Sequence, residues 1–143
     1  MSSTGLVLET TRDIVNYHGL ATSSWHFAHR DGRLHLAAAV YRAVTGTTPE
    51  SFYKHPQMAL LLIESNETVM ETVRWISAVL PTEPPTDMET GADDHLVHLD
   101  RWLDEEDFFT GRRPNVSDVI GLLIRAQETA DNLTDIPTPR LAA

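Results

Sequence analysis

Two pairs of histidines have the spacing that a metal site on a helix would use. His26 and His29 are three residues apart, as are His95 and His98. Side chains at positions i and i+3 share one helix face and can bind the same ion, and four imidazole nitrogens suit zinc. The sequence has no HExxH motif or comparable metal signature. The alternative interpretation is that these are surface or hydrogen-bonded histidines.

A run of acidic, aromatic and basic side chains near residue 105 forms the second candidate site. Consecutive helical residues point in different directions, so the four acids at positions 104–107 do not predict a metal cage. They indicate either a solvated helix end or a contact for a basic partner. Trp75 is also a candidate interaction residue, because it lies off the main apolar stripe of its helix and could therefore be exposed at an interface. The candidate interaction residues are Trp75, Asp104, Glu105, Glu106, Phe108, Phe109, Arg112 and Arg113.

The strongest helical signal, over residues 32–46, predicts the element around which the other elements pack. Ala37, Ala38 and Ala39 have the highest helix propensity, and the flanking positions are nearly all apolar. A helix without a polar face is normally buried. We therefore predict a central helix that ends at Gly46, where a left-handed cap is expected.

The remaining pattern predicts an all-α single-domain bundle of five or six helices spanning residues 1–143. Pro56 can open one helix, and Asn115 can open the last one in a capping box with Asp118. Whether residues 56–80 form one bent helix or two is left open. The other predicted helices are residues 6–18 and 95–107.

Three segments are predicted to lie outside the helices. The Asp31-Gly32 pair, between alternating residues, indicates a short β-hairpin or an ordered loop over residues 20–33. Residues 81–93 contain three prolines and four acids, which predicts a flexible loop. Residues 135–143 are expected to be a frayed tail.

The order of these features resembles a family of small uncharacterised actinobacterial and phage proteins. The shared features are a DGR turn before an alanine-rich helix, then a tryptophan, acids, a loop with arginine and a closing helix. In that family the tryptophan near the last helix is usually followed directly by Asn-Asp. Here the corresponding residue, Trp102, is followed by Leu103. The resemblance implies a small helical protein and assigns no site residue. It rests on Trp25, Asp31, Gly32, Arg33, Ala37, Ala38, Ala39, Gly46, Trp102, Asp104, Arg112, Val119 and Ala126.

The amino-acid composition limits which cellular compartments and which classes of partner are expected. The chain has no cysteine, so disulfides and thiolate metal sites are excluded. The net charge of −10 disfavours nucleic-acid binding, which needs basic surface. The longest apolar run, residues 58–63, is too short to cross a membrane. The sequence lacks a basic, apolar leader, and we expect a cytoplasmic protein.

The leading hypothesis is a non-enzymatic interaction or accessory module with an unknown protein partner, no cofactor and possible homo-oligomerisation. It depends on the absence of serine-elbow, phosphate-loop, Rossmann and kinase motifs, so no catalytic residue is assigned. The first alternative is a zinc-binding domain that uses the paired histidines and could act as a hydrolase. The second alternative is an acidic mimic of nucleic acid or a binder of a basic protein.

Overall fold

The computed structural model describes residues 2–21, 26–133 and 135–136, and these form seven helices without a strand. The prediction of an all-α fold is therefore confirmed. The described residues form seven helices, one more than the five or six that were predicted. The helices are α1 (Ser3–His18), α2 (Leu36–Thr45), α3 (Ser51–Lys54), α4 (Pro56–Glu64), α5 (Glu67–Ala78), α6 (His95–Asp104) and α7 (Val116–Asn132).

The most connected helix is α5, which packs against α1, α2, α4, α6 and α7. Helix α2 makes its main packing contacts with α1, α4 and α5. Its first half, from Leu36 to Val40, is fully buried, whereas Tyr41 to Val44 are partly exposed. The predicted burial of α2 thus holds for half its length, and the centre of the bundle is α5. Gly46 caps α2 in the left-handed conformation, with φ of 78°.

Capping residues explain why residues 56–80 form two helices. Pro56 occupies the first turn of α4, and Ser65 ends that helix. Asn66 is extended, and its side-chain oxygen accepts a hydrogen bond from the Val69 amide at 3.1 Å, which starts α5. At α7 the predicted capping box is present, because Asn115 and Asp118 each accept the other's amide hydrogen bond.

Residues 26–34 form an ordered loop, which was one of the two predicted alternatives. The Gly32 amide donates to the His29 carbonyl at 3.0 Å, so the predicted turn is present. Isolated bridges join Leu34 to Leu20 and to Ala28, but no hairpin strands form among the described residues. Trp25 lies outside the described residues.

Helix α6 ends at Asp104, three residues before the predicted end. Glu105 is extended, with ψ of 126°, and therefore stops the helix. Residues 105–107 consequently lie beyond the helix. Of residues 135–143, only 135 and 136 are described. Within the described ranges, no helix has the length and apolar character needed to cross a bilayer.

Candidate functional site

His95 and His98 are brought together by a serine that the sequence did not single out. The Ser77 hydroxyl, on α5, lies 2.6 Å from Nδ1 of His98 and 2.9 Å from Nδ1 of His95. On the other side of the His98 ring, Nε2 lies 2.8 Å from the Thr82 hydroxyl. One hydroxyl therefore links both histidines of α6 to the neighbouring helix. Thr82 belongs to the segment that was predicted to be a flexible loop.

Burial sets the charge state of this histidine cluster. Burial lowers the pKa of His98, and the neighbouring His95 ring adds to the effect. Burial also lowers the pKa of His95, with Arg74 contributing in the same direction. Both rings are therefore neutral at pH 7. Ser77 and His98 are 1% and 2% exposed, so these two side chains form a polar contact within the core, whereas His95 is partly exposed.

His26 and His29 lie in the loop before α2 and do not complete a ligand set with the other pair. The His29 Nδ1 atom lies 3.4 Å from an Arg33 guanidinium nitrogen, a neighbour that disfavours a bound cation. Across the described residues, no group of three or more histidine or acidic side chains is arranged to hold a metal ion. The two histidine pairs are therefore not brought into one ligand set among these residues, and α6 directs its pair toward Ser77. The zinc alternative stays a prediction.

His35 and Asp100 form a contact that sequence spacing could not indicate. His35 Nδ1 accepts the Ala37 amide hydrogen at 3.0 Å and thereby caps α2. That bond requires Nδ1 to be unprotonated, so Nε2 carries the proton and donates it to Asp100 at 2.6 Å. Both ring nitrogens are engaged, and the pair joins α2 to α6 rather than offering a free base.

A groove of about 660 Å³ lies between α4 and α6, and His35 is one of the residues that line it. Apolar side chains from three elements line it, namely Phe27, Leu60 and Val97. His26 also lines it, and the groove is open to solvent. Its volume is within the range of ligand-binding pockets, roughly 300–1,000 Å³.

Two turns with the same sequence pattern flank α6. The pattern Asp-x-x-Thr-Gly occurs at residues 87–91 and again at residues 107–111. We call residues 87–92 the first turn and residues 107–112 the second turn. In each turn, the aspartate amide donates to the carbonyl five residues on, and the glycine amide donates to the aspartate carbonyl. The repeated pattern was visible in the sequence and could have identified both turns.

Side chains complete the same hydrogen-bond set in both turns. Asp107 Oδ1 accepts from the amides of Phe109 and Thr110, at 2.8 and 3.0 Å. Asp87 Oδ1 likewise accepts from the second and third amides that follow it, at 2.8 and 3.3 Å. The threonine hydroxyl then accepts from the amide two residues on, in both cases. Each tip is therefore held in shape by five local hydrogen bonds.

The tips present the most exposed large apolar side chains of the described chain. Met88 is 97% exposed, and Phe108 and Phe109 are 93% and 91% exposed. The two phenylalanine rings lie 5.3 Å apart, edge to face. The hydrogen-bonded backbone beneath them fixes the turns that carry these exposed side chains.

The predicted interaction residues divide into an exposed group and one buried exception. Trp75 is 4% exposed and belongs to the core, because α5 is surrounded by five helices, so it cannot serve as a surface contact. Arg113 lies 3.4 Å from Asp104, as an exposed ion pair. The exposed members of the predicted surface are Asp104, Glu105, Glu106, Phe108, Phe109, Arg112 and Arg113.

No protein-family model matches the chain, and no curated protein or solved structure matches it either. The proposals that follow therefore rest on the geometry and chemistry of the described residues. The resemblance to small actinobacterial and phage proteins stays a prediction.

Proposed function

We propose that this chain is a protein-interaction module that contacts its partner through the apolar tips of the two turns. The observation that carries the proposal is the exposure of Phe108 and Phe109, above 90% each, on a hydrogen-bonded turn. Burial of a phenylalanine side chain is worth about 1.5–3 kcal/mol. A partner that covers both rings therefore gains several kcal/mol without first having to order the loop.

The charge around the second turn favours a basic partner. Four exposed acids, at positions 104–107, and two exposed arginines, Arg112 and Arg113, lie at this turn, so acids are in excess there. The chain as a whole carries a net charge of −10. Complementary charge steers association and suppresses partners of like charge. Self-association through this surface would bring two acidic clusters together, so the proposed partner is a different protein.

Site-specific photo-crosslinking tests this proposal. A photoreactive phenylalanine analogue is placed at position 108, and the labelled chain is irradiated in a lysate of the source cells. The control carries the analogue at Tyr17, which is 86% exposed on α1 and far from both turns in sequence. We expect one discrete adduct from position 108 that the control does not form.

Competition separates specific contact from adventitious capture. Excess unlabelled wild-type chain should suppress the adduct, because its own Phe108 and Phe109 compete for the same site on the partner. Aromatic anchors of this kind dominate interface energetics. Excess Phe108→Ser/Phe109→Ser double variant should not suppress it. Equal adducts from positions 108 and 17, or equal competition by the double variant, would contradict the proposal.

A further inference from the structure

The groove between α4 and α6 combines an apolar floor with acidic edges. Leu60 is 37% exposed and contributes from α4, while Leu96 and Val97 contribute from α6. Phe27 closes one side, and its ring is 5.3 Å from that of His35. An apolar surface of this kind, open to water within an otherwise charged protein, indicates a binding site.

Four carboxylates line the groove. Asp100 contacts His35, and Asp104 contacts Arg113. The two carboxylate side chains are nevertheless 55% and 65% exposed, so both face solvent. Arg101 is the one arginine among the described lining residues. Counting the carboxylates and this arginine alone, the lining has three more negative than positive charges. The four carboxylates are Glu64, Asp94, Asp100 and Asp104.

The spacing of these carboxylates defines the length of the occupant. Asp94 and Asp104 bracket α6 and are ten residues apart, which corresponds to about 15 Å along a helix. A ligand that meets both carboxylates while covering the apolar floor must span that distance. A helix of three turns has this length and can present an apolar stripe between flanking cations.

We propose that the groove binds a basic, amphipathic helical segment of a partner protein. Helix-in-groove recognition places apolar anchors at i, i+3 or i+4 and i+7, which suits a floor to which Leu60, Leu96 and Val97 contribute from two helices. Lysine or arginine side chains beside the anchors would meet the carboxylates. A second copy of this acidic chain would be repelled, and so would an anionic membrane surface. This surface is separate from the two turns, so the inference does not depend on the function proposed for them.

The test uses a designed peptide as the probe. The peptide has about 14 residues, roughly four helical turns, with leucines on one face and lysines on the other. It is titrated into the full-length, isotopically labelled chain, and backbone amide shifts are followed by NMR. We expect the largest shifts at Leu60, Leu96 and Val97, and little change at Met88 and Phe108.

Two neighbouring leucines provide a matched pair of variants. Leu60 lines the groove, whereas Leu61 is 61% exposed and lies outside it. Leu60→Gln should weaken peptide binding at least about tenfold, because an apolar contact is lost. Leu61→Gln should leave the affinity within about twofold. Both positions are on the surface, so both variants should fold, and the wild-type shift map decides the question if one does not.

Charge is tested by a second peptide in which glutamine replaces every lysine. We expect at least about a tenfold lower affinity, and a loss of affinity for the lysine peptide as salt screens the carboxylates. Equal binding of both peptides would overturn the proposal, as would equal effects of Leu60→Gln and Leu61→Gln. A concentration-dependent dimer that Leu60→Gln dissociates would also overturn it, because a second copy would then be the occupant. The Phe108→Ser/Phe109→Ser variant should bind the peptide normally, which separates this test from that of the turns.

Discussion

The Ser77 hydroxyl lies 2.6 Å from Nδ1 of His98, and both side chains are almost completely buried. A serine has one proton to donate, so it donates to one histidine and accepts from the other. The two rings must therefore hold complementary tautomers. If both became protonated, two N–H groups would face one oxygen and the serine proton would lose its acceptor.

The first prediction is that acid weakens the fold through this cluster. Burial puts the folded-state pKa of His95 and of His98 below the unfolded value near 6.5. The unfolded chain therefore binds more protons as the pH falls, and stability is lost below about pH 6.5. Each histidine contributes at most about 1.4 kcal/mol per pH unit. Asp93 opposes the effect at both rings, whereas Arg74 and Arg101 reinforce it.

Urea unfolding at pH 7.5, 6.5 and 5.5 measures this dependence. The carboxylates take up protons below about pH 5, so they remain charged at all three of these pH values. His98→Asn should lower stability at pH 7.5 but reduce its slope with pH, since one titrating group is removed. His55→Gln, at an exposed position, should keep the wild-type slope. A stability that is constant from pH 7.5 to 5.5 would refute the explanation.

The second prediction concerns the His35 cap of α2. His35→Ala removes both the cap to Ala37 and the bond to Asp100, and should cost about 1–2 kcal/mol. His35→Asn can still cap the helix through its side-chain oxygen but cannot reach Asp100 in the same way. It should therefore recover part of the loss in equilibrium unfolding. Equal destabilisation by both variants would show that the cap contributes nothing.

Local signals predicted the elements and their ends well. Capping at Asn115 and Asp118, the left-handed glycine at position 46 and the Asp31-Gly32 turn all depend on residues adjacent in the chain. Such interactions are determined within a few residues, so sequence spacing can indicate them. Two helix ends differ from the prediction. Helix α1 begins at Ser3, three residues early, and α6 ends at Asp104, since no strong stop signal precedes Glu105.

Contacts between distant residues could not be predicted in this way. His35 and Asp100 are 65 residues apart, and Ser77 and His98 are 21 apart. Their pairing depends on how α2, α5 and α6 pack, which periodicity does not specify. The histidine spacing placed His95 and His98 on one helix, as found, but it could not show that the neighbouring helix supplies a hydroxyl rather than more ligands.

The third prediction tests the packing of α2. Ala38 has no exposed surface, so Ala38→Leu should overpack the contact with its neighbours and cost about 1–3 kcal/mol. Ala43 lies on the partly exposed half of the same helix. Ala43→Leu should change stability by less than about 1 kcal/mol, since the added side chain can point to solvent. Thermal unfolding of both variants compares them, and similar losses would show that burial is not confined to the first half.

The last prediction uses three glycines to test the two turns. Gly91 and Gly111 have φ of 73° and 67°, and a Cβ at either position would meet no atom within 4 Å. Alanine there should therefore cost about 1 kcal/mol through backbone strain alone.

Gly121 is the matched control, because it lies within α7 and its added Cβ would meet only the flexible end of Arg125, at 3.9 Å. Gly121→Ala should raise stability by about 0.5–1 kcal/mol, since alanine favours helix. Amide hydrogen exchange should show loss of protection at Arg112 in Gly111→Ala and at Ala92 in Gly91→Ala, each within its own turn. If either substitution left its turn protected, that turn would not depend on the left-handed glycine, and the rigid presentation of the apolar tips would lose its structural basis.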